Sequence, residues 1–128
     1  MKKIKTALIS ISNKKNLKNV LTVLKKYKIE IISSGGTYKE IIKLRFKCTE
    51  ISDYTGSPEI LNGRVKTLHP KIYAGILNKR NNKLHYQDLI KNNFKNIDLV
   101  IVNFYPFQST LNKTSNHSKI IENIDVGG

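Results

Sequence analysis

One cysteine in 128 residues, Cys48, excludes an intramolecular disulfide and a multi-cysteine zinc site. The fold must therefore rest on its apolar core, and a reducing compartment is the simplest setting. No apolar run approaches the roughly 18 residues of a membrane helix. The opening Met1-Lys2-Lys3-Ile4-Lys5-Thr6 lacks the apolar region and small-residue cleavage site of a signal peptide. A cytoplasmic protein without a membrane partner is the expectation. The length suits one domain with a real core.

Acidic residues are also scarce: nine Asp+Glu stand against 23 Lys+Arg, a formal net charge of +14. A nucleic-acid partner is nevertheless not expected. The sequence has 20 Lys, 18 Ile and 14 Asn, and these types share AT-rich codons, so mutational bias accounts for the excess. The lysines are scattered over every predicted helix, whereas RNA-binding domains gather a basic stripe interleaved with aromatics. A general attraction for anions remains, and a phosphorylated metabolite would benefit from it.

Strand and helix patterns alternate. Thr6 to Ile11 is a short apolar run that predicts a buried strand. Leu17, Val20, Leu21 and Leu24 follow at helical spacing. Ile29 to Ser33 predicts a second strand, Tyr38, Ile41 and Ile42 a second helical stripe, and Cys48 to Ile51 a third strand. Asp53 to Pro58 has loop chemistry, with Pro58 placed to open a short helix through Leu61. Ile72 to Leu77 fits a strand or a buried helix. Leu84 to Asn92 predicts a helix with Leu84, Leu89 and Ile90 inward, and Ser118 to Asn123 another. Ile97 to Phe104, the longest apolar run, predicts a central strand buried on both faces. Together these predict a three-layer α/β domain with a doubly wound parallel sheet, whose ligands sit beyond the carboxyl ends of the strands.

The polar residues that stand out fall at those ends. Ser34-Gly35-Gly36-Thr37 joins a strand to a helix: the glycines permit positive φ and close approach, and the helix N-terminus favours an anion such as phosphate. An ordinary strand-to-helix turn with a Thr cap is the alternative. Ser12-Asn13-Lys14 is the matching loop after the first strand, able to hold the other side of a phosphate or merely to cap a helix. In Arg64-Val65-Lys66-Thr67-Leu68-His69-Pro70, an extended loop points Arg64 and Lys66 to one side. Arg64 is one of three arginines, a residue suited to bidentate contact, though two loop cations are also common on a solvated surface. His69 is either catalytic or a structural histidine bonded to backbone. His85 and His117 are given no role. Asn103 is placed to read a base or an amide, and Tyr105 to donate to an oxyanion. Phe104 and Phe107 fit aromatic capping of the strand end. Asp125, between Ile124 and Val126, is the one acid suited to general-base work, or else a helix cap.

In their order, ALISISNK, SSGGT, ISDYTGSPEILNGRVKTLHPKIYAGIL, IDLVIVNFYPF and IENIDVGG resemble the N-terminal part of the bifunctional purine biosynthesis proteins. That family joins an inosine monophosphate cyclohydrolase to a formyltransferase acting on an aminoimidazole carboxamide ribotide. The resemblance implies a methylglyoxal synthase-like fold over residues 1–128. It implies ring closure of a formamidoimidazole carboxamide ribotide to inosine monophosphate, with no metal or organic cofactor and a tendency to dimerise. It assigns oxyanion stabilisation to Lys66 and Tyr105 and deprotonation of the carboxamide to Asp125. Ser12, Asn13, Lys14, Ser34, Gly35, Gly36, Thr37, Arg64, Val65, Lys66 and Thr67 become nucleotide-binding positions. Val102 and Asn103 become positions near the base, and Asp125 and Val126 further substrate-binding positions. The family continues past the position of Gly128 with an Ala-Lys-Asn-His-like stretch, whose lysine completes the proton relay, and with the transformylase domain; neither is expected of these residues. The same domain type also serves as a regulatory nucleotide sensor in carbamoyl phosphate synthetase, so a binding module is the alternative. RVKTLHP and NFYPF favour the enzyme, since a sensor needs no oxyanion donors.

Overall fold

A computed structural model describes residues 2–103 and 115–122. The strands are β1 (Thr6–Ser10), β2 (Glu30–Ser33), β3 (Thr49–Glu50) and β4 (Leu99–Val102). The helices are α1 (Leu17–Lys26), α2 (Gly35–Lys43), α3 (Ile51–Thr55), α4 (Pro70–Leu77), α5 (Lys83–Lys91) and α6 (His117–Glu122). All pairings are parallel, in the order β3-β2-β1-β4. Leu8 stands level with Ile32 on one side and Val100 on the other.

Alternation along the strands builds both layers. Ala7, Ile9 and Ile31 pack with Leu17, Leu21 and Leu24 of α1 and Ile41 of α2. Leu8 and Ile32 point the other way, onto Ile51 of α3, Ile72 of α4 and Ile97. The doubly wound parallel α/β sheet expected from the sequence is thus the fold found. No helix among the described residues is long and apolar enough to cross a membrane.

Several local expectations are corrected. The third strand is only Thr49–Glu50, because Ile51 turns inward to open α3, which absorbs the expected loop at Asp53 to Thr55 and stops at left-handed Gly56. Pro58 to Leu61 forms no helix: Leu61, Asn62 and Gly63 all take positive φ, and the turn returns Val65 to pair with Ile60. Residues 72–77 lie in a helix, opened by Pro70 with His69 as its cap. In α5 only Leu89 is buried, while Leu84 and Ile90 face outward, as does Ile42 of α2. The inner strands are β2 and β1, and residues 6–9 of β1 are buried. Among the described residues β4 lies at the sheet edge, with Val100 and Val102 exposed.

Candidate functional site

Parallel strands end on one side, so the loops after β1 and β2 converge there with Asn103, which follows β4. Ser12 donates to Asn103 Oδ1 from its backbone N–H at 2.6 Å and from its hydroxyl at 3.0 Å. Asn103 Nδ2 donates to the Asn13 carbonyl at 3.3 Å. On the other flank Thr37 Oγ1 donates to the Ile11 carbonyl at 2.9 Å and accepts from the Ile11 N–H at 3.2 Å. Ser33, fully buried, donates to the Ile9 carbonyl at 2.6 Å. Ser34, extended at φ −141°, precedes α2 without a side-chain cap bond. The opening N–H groups of a helix have no carbonyl one turn back. Here they belong to Gly35, left-handed at φ 54°, Gly36 and Thr37.

Two ammonium groups flank this turn. A Cβ built on Gly35 would meet Lys66 Nζ at 2.5 Å, and one on Gly36 would lie 3.6 Å from Lys14 Nζ. Lys14 also donates to the carbonyls of Ile11 (3.4 Å) and Ser12 (3.3 Å). Lys66 is half-buried, and no carboxylate or carbonyl among the described residues pairs with its Nζ. Two cations beside free N–H groups make a setting for an oxyanion or a phosphate.

Ser12, Asn13, Lys14, Ser34, Gly35, Gly36, Thr37, Lys66 and Asn103 thus lie together at one edge of the sheet. Arg64 closes the 60–65 turn, not an extended strand, so its alternation with Lys66 does not follow from a strand's geometry. His69 Nδ1 accepts the Lys71 N–H at 3.0 Å, the structural of its two readings. His85 likewise accepts from Lys79 N–H at 2.9 Å. Val102 is half exposed beside Asn103. Phe104, Tyr105, Phe107, Asp125 and Val126 lie outside the described residues.

One site residue was missed. Gly63 stands where a Cβ would come within 2.9 Å of Lys66 Cε, so the lysine passes between two glycines. Asn62-Gly63 signalled a turn, but no local pattern reveals what crosses it. A separate groove of about 390 Å³ lies between α4 and α5, lined by residues such as Leu77, His85 and Leu89, and shares none with the glycine turn. Cys48 is no nucleophile candidate: burial, with the Glu50 carboxylate nearby, pushes its thiol up to about 12.

The family model of the MGS-like domain matches residues 16–128. The bifunctional purine biosynthesis protein PurH of Prochlorococcus marinus (strain MIT 9211) is 53% identical over 126 residues, covering 95% of this chain and 24% of that protein. PurH of Acetivibrio thermocellus is 48% identical over 126 residues, covering 98% and 24%. The chain therefore spans about a quarter of the length of these curated relatives. Among solved structures, that of ForH superposes with a TM-score of 0.80 at 27% identity, covering 98% of this chain and 64% of that one.

Proposed function

The chain belongs to the MGS-like domain family, and from that premise we propose that it is an inosine monophosphate cyclohydrolase domain of purine biosynthesis. Its substrate is 5-formamidoimidazole-4-carboxamide ribotide. The carboxamide nitrogen attacks the formyl carbon of the same molecule, and the tetrahedral intermediate loses the former formyl oxygen as water. Because the reacting atoms are already tethered, holding the reactive rotamer supplies much of the rate. Lys66 and Tyr105 stabilise the oxyanion and Asp125 takes the carboxamide proton. Ser12, Asn13, Lys14, Arg64, Thr67 and the Ser34–Thr37 turn hold the ribose phosphate, with Val65 alongside; Val102 and Asn103 lie near the base, and Val126 also binds substrate. No metal or organic cofactor takes part. With this function go a cytoplasmic location and a homodimer, without nucleic acid or membrane.

The observation that carries the proposal is the Lys66 ammonium against Gly35, with Lys14 beside Gly36. The relatives named for purine biosynthesis support it. The test is absorbance-monitored ring closure with an inosine monophosphate titration alongside. Lys66→Ala is expected to lose roughly 10²–10³ in rate, as when an oxyanion donor is removed, with an unchanged circular dichroism spectrum. Unchanged closure by that variant overturns the assignment. Nucleotide binding without closure by the parent chain selects the regulatory module instead.

A further inference from the structure

Residues 11–14 carry the first of the two nucleotide loops yet have no helix or strand of their own. Their shape is imposed from both flanks. Thr37 reaches over from α2 and makes two bonds to Ile11, and Asn103 reaches over from the end of β4 and makes three to Ser12 and Asn13. A hydroxyl has one hydrogen, and an amide oxygen has two lone pairs. Thr37 spends its hydrogen on the Ile11 carbonyl, so none is left for a phosphate. Asn103 Oδ1 accepts twice from Ser12, so it has no acceptor site left with which to read a base. The Ile11 carbonyl that receives Thr37 also receives Lys14 Nζ. Fixing that carbonyl therefore fixes one seat of the ammonium beside Gly36.

We infer that Thr37 and Asn103 are positioning residues, which brace the 11–14 loop from opposite sides and so hold Lys14 toward the glycine turn. That the loop serves a nucleotide rests on the proposed function; the bracing itself does not. Thr37 is buried, and Val matches its shape without the hydroxyl.

Amide hydrogen exchange of the nucleotide-free chain and an inosine monophosphate titration test this together, on Thr37→Val, Thr37→Ser and Asn103→Ala. Thr37→Val is expected to speed exchange at Ile11 and Ser12 about tenfold while leaving α1 and β2 unchanged, and to weaken nucleotide binding about tenfold, as expected for two lost hydrogen bonds. Thr37→Ser, which keeps the hydroxyl, recovers most of both. Asn103→Ala, an exposed site, speeds exchange at Ser12 in the same way. Weakened binding with normal exchange in the free chain means direct ligand contact and overturns the inference. So does faster exchange spread over α1 and β2. A parent chain that binds no nucleotide defeats the functional proposal, while the exchange pattern still decides the brace.

Discussion

Gly75 sits inside α4, where alanine would ordinarily gain about 1 kcal/mol of helix propensity. Here a Cβ would lie 2.8 Å from the Lys95 carbonyl oxygen and 3.0 Å from Ile97 Cγ1. That neighbour is backbone held on several sides. Ile97 N–H donates to the Gly75 carbonyl at 2.9 Å, and Arg80 Nη2 donates to the carbonyls of Ile97 (2.8 Å) and Gly75 (3.2 Å). Arg80 also faces Asp98 at 3.7 Å, whose carboxylate accepts the N–H groups of Lys5 and Thr6 at the start of β1. The segment has little room to yield, so overpacking of about 1–3 kcal/mol outweighs the propensity gain. Gly75→Ala is expected to lower the urea midpoint with an unchanged m-value. A raised midpoint would show that the Lys95 segment gives way. Arg80 also shows the limit of reading a rare arginine as a ligand contact, since its planar fork is committed to carbonyls of its own chain.

Three helices end in one way. After α1, Ile29 N–H bonds back to Leu24 and Lys28 N–H to Lys25, with Lys28 at φ 54°. After α2 the same places are taken by Phe46 to Ile41 and Arg45 to Ile42, with Arg45 at φ 64°. After α5 they are taken by Phe94 to Leu89 and Asn93 to Ile90, with Asn93 at φ 54°. Each is a Schellman closure with an apolar pair across it, and each puts a side chain where glycine is usual. Lys28→Gly is therefore expected to stabilise the fold by about 0.5–1 kcal/mol in urea unfolding, the left-handed strain relieved less the entropy of a freer unfolded chain. Lys28→Ala should give no such gain, which separates backbone strain from loss of charge. The same feature explains why helices were legible in the sequence while their ends were not: stripes such as Leu17, Leu21 and Leu24 are local, but no glycine marks these stops. Of the apolar run at residues 97–104, Leu99–Val102 is a strand, yet an apolar run looks alike at a sheet's centre or edge, and only the distant pairing partners decide. Loops at strand ends were legible because parallel topology gathers them. That Thr37 and Asn103 are occupied was not, since their partners lie 26 and 91 positions away.

The net charge of +14 belongs to the whole chain, whereas the glycine turn is local. Lys25 lies over the Phe46 ring at 5.8 Å, Lys71 and Lys95 over Tyr54 at 4.4 and 5.1 Å, and Lys95 also pairs with Glu30 at 2.7 Å. These cations sit on different elements, and two share one aromatic. Lys14 and Lys66, by contrast, converge on adjacent glycines. A diffuse field speeds the arrival of any anion and is screened over about 10 Å at ordinary salt, while contact-range ammoniums are screened less. Raising NaCl from about 50 to about 300 mM should thus weaken inosine monophosphate binding only about threefold, chiefly through slower association. A polyanion-binding surface would respond far more steeply, because several phosphates would release counterions together. Total RNA at equal mass, at about 150 mM salt, should leave the nucleotide affinity within about twofold, whereas pyrophosphate should compete. Competition by RNA with a steep salt slope would mean that the lysines form a surface after all, and that the charge has a use beyond the turn at Gly35 and Gly36.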